Sequence, residues 1–501
     1  MKMLIILFLL AVLIAVAACG QDGETEYQDP TIAPSDNGIN NIDQGNGTEP
    51  QVPVIDIPSF DRYDASLTIE PATRTVNGTS RITFTNRTGY PLYDIVLRVY
   101  LNAFNEGSDN FFPEHEGRIF LHGREYGYMN IQHVTMNNEY LSYELDGTVL
   151  SLNLDDPIAP EQTVQLVLQF DAHIPMIAHR TGANDRALWF GMFLPVLAVY
   201  GDEGWIIPDY YPAGDPFIQE MAAFEVEIIT PVDYIVAGTG VKIDDIPLED
   251  VRVTIFNANN ARDFTFAISP YFRHEWISTV GGDVHLYFYS DDLPVDEILD
   301  IIRNAMEHFS YRIGPYPFDD IRIIETDMFL DGMTFSNVIF MNTAALSLPN
   351  YMALARVLGH QWFSNIVGSN SVYEPWLATG LVRYVALRLL YNQAEALQER
   401  MVVEHNRIAA RNDLYLTSGL GAFNTWRDYY QTHHIKSMLM FNALNGHMGD
   451  ELFWELIHQY FQTYYFQIAT GENLISMAEE IYGDSLADFF DAWLAGGSMP
   501  N

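Results

Sequence analysis

The sequence predicts an α+β chain, with an all-β saddle or sandwich domain first and a mostly helical domain after it. Two patterns carry this. From about Val54 to Pro270 the apolar residues recur with period two, and after about Tyr271 they recur with the longer period of amphipathic helices. Composition agrees: 48% hydrophobic and 13% aromatic residues are enough to build packed cores, and 501 residues allow two or three domains.

Residues 1–19 are not expected to belong to the fold. Lys2 precedes the apolar run Met3 to Ala18, then Cys19. A charged start, an apolar stretch and small residues make an export signal. Val16-Ala17-Ala18-Cys19 resembles a bacterial lipobox, in which the cysteine is lipidated and becomes the mature N-terminus. The alternative is an uncleaved membrane anchor. Either version places the protein at the cell membrane on its extracytoplasmic face. Cys19 is the only cysteine, so no intrachain disulfide, cysteine metal site or cysteine nucleophile is expected. Residues 20–53 carry Asp22, Glu24, Glu26 and Asp29 among Gly, Asn, Pro and Thr, without Lys or Arg. Such a segment lacks the apolar surface to fold and is expected to be a disordered acidic tether. Its root-mean-square span is on the order of 30 Å.

Residues 54–270 form the expected β domain. Ser66–Ile69, Arg81–Thr85, Ile95–Tyr100, Val164–Phe170 and Phe224–Ile229 alternate or run β-branched, with Asn77-Gly78 and Asp146-Gly147 as turn signals. Residues 271–501 form the second domain. Ile298, Ile301, Ile302, Ala305, Met306 and Phe309 mark one face of a helix over Val295–Ile313, with Gly314 as its stop. Ile321–Ile324 reads as a short strand. Leu474, Met477, Ala478 and Ile481 mark a late helix with Asn473 as N-cap and Gly483 past its end. Leu486, Phe489, Phe490 and Trp493 mark another.

The formal net charge of −41 argues against nucleic acid and anionic membrane surfaces as partners, since neither polyanion gains from an acidic protein. It suits solubility in an external medium.

The chemistry turns on Arg356-Val357-Leu358-Gly359-His360-Gln361-Trp362-Phe363. A zincin needs His-Glu-x-x-His on one helix. Its imidazoles, four residues apart, then share a face, and the Glu is the general base. Here the second His is His360, the first is Arg356 and the base position is Val357.

Further segments extend the likeness: Gly204-Trp205, Tyr211-Pro212-Ala213-Gly214-Asp215, Asp263-Phe264, Gly314-Pro315-Tyr316-Pro317, Gly332-Met333, Trp376-Leu377 and Gly380. In their order and spacing the chain resembles the M1 family of zinc aminopeptidases, the gluzincins, from Val54 to Asn501. The resemblance implies an N-terminal β saddle and a thermolysin-like domain that is mostly helical with a small mixed sheet. The large C-terminal helical domain of many members is not expected after Phe490-Asp491-Ala492-Trp493-Leu494.

The resemblance also implies site residues, and most are replaced. Arg356 falls on the first zinc His, and a guanidinium cannot ligate a cation. Val357 falls on the catalytic Glu. Thr379, nineteen residues after His360, falls on the third ligand, a Glu. His360 is the only retained ligand. The family's amine-anchoring Glu falls on Thr334, within Gly332-Met333-Thr334, with Asp331 nearby. The oxyanion-stabilising Tyr falls on His434, two residues before Lys436-Ser437.

These losses predict no zinc cofactor and no intact catalytic residue. The chain is expected to be an inactive lipoprotein homologue that binds a peptide or protein ligand in the cleft, with Gly332, Met333, Thr334 and Arg356 as substrate-binding positions. One alternative is an active peptidase with a rewired zinc site, built from His360, His434 and a carboxylate, with His433 adjacent. Another is a structural surface scaffold with a filled cleft. Arg356 either pairs with Glu374 or Asp331, or binds a ligand carboxylate. Trp362 and Phe363 are expected in the core. His115-Glu116 and His274-Glu275 lack a second His at the right spacing and are expected at the surface.

Overall fold

The structure is a computed structural model and describes residues 60–347, 351–391 and 393–500. The expected leader, Cys19 and the tether lie outside the described residues. Among those described, no helix is long and apolar enough to cross a membrane.

The N-terminal part is rich in β-sheet. Its largest sheet has eight strands, in the order Val241–Pro247, Val251–Ala261, Ala222–Pro231, Asp61–Glu70, Thr75–Thr85, Thr163–His173, Tyr128–Met136 and Glu139–Leu141. The pair Asp61–Glu70 with Ala222–Pro231 is parallel and the rest are antiparallel. Alternation sets the buried face. Val164, Leu166, Leu168, Phe170 and Ala172 point inward from one strand, and Phe224, Val226 and Ile228 from another.

Two local expectations change here. Asp146-Gly147 does turn the chain, with Gly147 at φ +52° between Tyr143–Asp146 and Val149–Ile158. Asn77-Gly78 does not. It lies inside the strand Thr75–Thr85, where Gly78 pairs with both Leu67 and Phe170. A Cβ on Gly78 would stand 2.2 Å from the Phe170 ring, so this glycine makes room for an aromatic and does not bend the chain.

The C-terminal part is mostly helical, around a five-stranded mixed sheet ordered Arg273–Thr279, Gly282–Phe288, Asp320–Thr326, Val338–Asn342, Gly332–Phe335. Its middle pairs are parallel and both edge pairs antiparallel. This sheet joins two cores through strand alternation. Val284, Leu286, Ile321, Ile323, Ile339 and Met341 pack toward the helices, while Tyr287, Ile324, Phe340, Met333 and Phe335 pack toward the β part.

The helix Val295–Arg312 buries the predicted face. The helix Gly471–Tyr482 begins one turn earlier than predicted. Thr470 is its N-cap, and Asn473 sits inside the first turn, where it completes a reciprocal capping box. Gly483 closes it at φ +79°. The last predicted helix spans Ala487–Leu494.

Candidate functional site

The helix Tyr351–Gly359 packs against the helices Val295–Arg312 and Pro375–Leu390 and against the edge strand Gly332–Phe335. Gly359 lets the second helix approach: a Cβ there would lie 3.0 Å from Val382 Cγ1. The helix ends at Gly359, but the His360 N–H still bonds to the Arg356 carbonyl at 3.1 Å. Arg356 and His360 therefore stand one turn apart on the same face, as two zinc ligands would.

Both line a cavity of about 100 Å³. The strand Gly332–Phe335 supplies Gly332, Met333 and Thr334, and the helix Pro375–Leu390 supplies Thr379 and Arg383. The segment Trp426–Lys436, which ends in a π-helix from Tyr430, supplies Trp426, Tyr429, Tyr430 and His434. Every position singled out from the sequence as ligand, anchor or oxyanion donor thus borders one space, except Val357. Its side chain is fully buried in the helical core. Side chains do not fill the space beside His360.

Each replacement has its own local contacts. Thr334 Oγ1 donates to the Val357 carbonyl at 2.8 Å. Arg356 donates to the Gly332 carbonyl at 3.3 Å. Among the described residues no carboxylate makes an ion pair with it. The expected pairing with Glu374 or Asp331 is not what the structure has. The Glu374 carboxylate accepts the Gly471 N–H and so tops the helix Gly471–Tyr482. Asp331 lies in the field of Arg118. Arg356 is felt instead by Asp215, whose carboxyl is raised by burial and lowered by Arg180 and Arg356.

His360 Nδ1 faces the Phe363 carbonyl at 3.2 Å and Ser364 Oγ at 3.0 Å. Burial and then Arg356 push it down to about 3, so it is a neutral imidazole. His434 stacks on Tyr430 with ring centroids 4.9 Å apart. Burial drives its pKa well below the usual range, helped by Arg383 and Arg356. His433 turns away, between Phe423 and Tyr429, and does not line the cavity. Trp362 and Phe363 are core residues, with the Trp362 indole bonded to the Gly314 carbonyl at 2.7 Å.

Sequence reasoning missed several lining residues. His115, expected at the surface, is buried against Phe329 and Trp426 and lines the cavity. A three-dimensional contact put it there, which His-to-His spacing cannot reveal. His274 is exposed, as expected, and meets His285 at 2.9 Å. Arg383 had a legible signal. It is a lone charge in the apolar run Leu381-Val382-Arg383-Tyr384-Val385, is 1% exposed and lies 5.2 Å from the centre of the Tyr430 ring. Asp215, already quoted for the resemblance, carried no assigned role.

Comparison with known proteins places this geometry. The model of the peptidase family M1 domain matches residues 298–493. No curated protein matches the chain. Among solved structures, an M1 zinc metallopeptidase from Deinococcus radiodurans superposes with TM-score 0.66 at 15% identity, covering 88% of this chain and 94% of that one. A mutant of that enzyme bound to a Tyr-Ser-Ala substrate superposes at 0.65 and 16% identity, covering 88% and 95%. A two-domain mutant bound to L-tryptophan gives 0.65 and 16%, with the same coverage. The fold is therefore that of these metallopeptidases: a sheet-rich N-terminal part and a mostly helical part with a small mixed sheet.

Zinc, named in those structures, does not fit the residues here. Among the described residues no group of three or more His, Cys, Asp or Glu is placed to hold a metal ion. Beside His360 stand a guanidinium and a threonine, one repelling a cation and the other a poor ligand for it.

Proposed function

We propose that this chain is a member of peptidase family M1 that has given up hydrolysis and kept the cleft to bind peptide or protein segments. In this reading residues 54–270 are the saddle and 271–501 the peptidase-like unit. Residues 20–53 tether them to a lipid on Cys19, at the extracytoplasmic face of the membrane.

The observation that carries the reading is the pair Arg356 and Val357. In a metallopeptidase the metal supplies both the Lewis acid and the nucleophile, and a carboxylate moves the proton. Arg356 puts fixed positive charge where the first ligand belongs, and Val357 puts an isopropyl group where the base belongs. His434 can donate to an oxyanion, but nothing in the cavity generates the attacking hydroxide. The chain's residues can still bind and orient. Thr334 holds the edge strand against the helix carrying Arg356, and the open space beside His360 favours a binding role over a purely structural one.

The test is calorimetric titration of the purified protein with a library of short peptides, each recovered afterwards and weighed by mass spectrometry. Saturable binding with every peptide returned intact supports the proposal. Peptides returned shortened by one residue from the amino end overturn it. Incorporation of labelled palmitate, lost in Cys19→Ala, checks the anchor.

A further inference from the structure

Resting on the reading of the cleft as a peptide-binding site, we infer that it recognises a carboxylate, at a peptide C-terminus or on an acidic side chain, held against Arg356 and His434. Recognition would then have the opposite polarity to that of an aminopeptidase, which anchors a peptide by its ammonium group.

Charge points this way. The chain is strongly acidic, at −41, with only 25 Lys and Arg, yet three arginines line this one small cavity against two aspartates. Arg118 and Asp331 lie in each other's field. Asp215 lies in the field of Arg180 before that of Arg356. That leaves Arg356 as a cation without an ion pair among the described residues, facing a cavity whose histidines His115, His360 and His434 are all pushed toward the neutral form by burial.

Donors point the same way. Arg356 donates to the Gly332 carbonyl at 3.3 Å, and among the described residues it makes no ion pair. A planar fork with donors to spare is what a carboxylate takes up. His434 is only 7% exposed, lines the cavity, and its Nδ1 has no hydrogen-bond partner among the described residues. A neutral imidazole on the cavity wall can donate one hydrogen bond to an acceptor brought by a ligand. An ammonium group finds less. The anchoring and ligand carboxylates that the resemblance expects are Thr334 and Thr379, and the Thr334 hydroxyl is already given to the Val357 carbonyl.

The experiment titrates the folded protein with four probes: N-acetyl-trialanine, its C-terminal amide, trialanine amide with a free amine, and an acetylated, amidated Ala-Glu-Ala. The expected result is binding of the first and last, each at least about tenfold tighter than its neutral counterpart, which is about 1.4 kcal/mol. The first against the last tells whether a C-terminal or a side-chain carboxylate is preferred. Arg356→Met should remove the discrimination, and Arg356→Lys should restore part of it, with unchanged circular dichroism in both. His434→Phe is the second variant, should Arg356→Met fail to fold. Equal binding of acid and amide forms overturns the carboxylate inference while leaving peptide binding intact. Preference for the free-amine probe also overturns it. Absence of binding by all four overturns both proposals.

Discussion

Thr334 Oγ1 donates a hydrogen bond to the Val357 carbonyl across 2.8 Å. The residue that the resemblance puts at the amine anchor therefore satisfies the backbone of the residue that it puts at the general base. Two positions 23 residues apart meet in one contact, and the contact is structural. Thr334→Val should cost about 1 kcal/mol of stability, the usual worth of such a bond. Chemical denaturation would show it as a lower midpoint with an unchanged slope.

Val357 carries a sharper prediction. It is fully buried and packs close to Gly332, whose Cβ would lie 3.1 Å from Val357 Cγ1. Val357→Glu alone puts an unpaired carboxyl there and should destabilise the protein by about 3 kcal/mol or more. Adding Arg356→His and Thr379→Glu completes a donor set for zinc. The triple variant should gain melting temperature on adding zinc, and Val357→Glu alone should not. Differential scanning calorimetry with and without metal distinguishes them.

Much of this was legible in the sequence. Period-two alternation is a local property, so the β part followed from it, whereas of the five-stranded sheet only Ile321–Ile324 was read as a strand and the sheet itself came from the resemblance. The site positions came from the resemblance, and folding brings all of them except Val357 around one cavity. What was not legible depends on contacts between distant segments. Gly78 reads as a turn until Phe170 is seen to cross it. His115 reads as a surface residue until Phe329 and Trp426 cover it. Glu374 reads as a partner for Arg356 until the Gly471 N–H takes its carboxylate. Asn473 reads as the N-cap until its N–H is seen to donate to Thr470 Oγ1, which puts the cap at Thr470.

Close helix packing gives a coupled prediction. A Cβ on Gly380 would fall 1.8 Å from Ser437 Oγ, which donates to the Trp376 carbonyl at 2.8 Å. Gly380→Ala should destabilise by roughly 1–3 kcal/mol through overpacking. Combined with Ser437→Gly, part of that cost should return, giving a non-additive double-mutant cycle. Additive losses would mean that the two helices separate freely.

Acid should destabilise the fold from below about pH 6.5, the ordinary histidine value. His308 and His433 are each pushed down to about 3, chiefly by burial. A base whose folded pKa is depressed binds fewer protons folded than unfolded between those values. Stability therefore falls as pH drops through that window, by up to about 1.4 kcal/mol per pH unit for each histidine. Asp263, raised to about 6 by burial, acts with the opposite sign over the lower part of the window and softens the slope. Urea midpoints across the range should decline toward acid, and His308→Phe should flatten the decline.

The central claim, a peptide cleft without peptidase chemistry, is tested most directly by measuring zinc per chain by mass spectrometry in the purified wild-type protein while assaying aminoacyl fluorogenic substrates. The prediction is zinc far below one equivalent, with no hydrolysis above the buffer rate even after zinc is added. Zinc near one equivalent, with hydrolysis that a chelator abolishes, would contradict it.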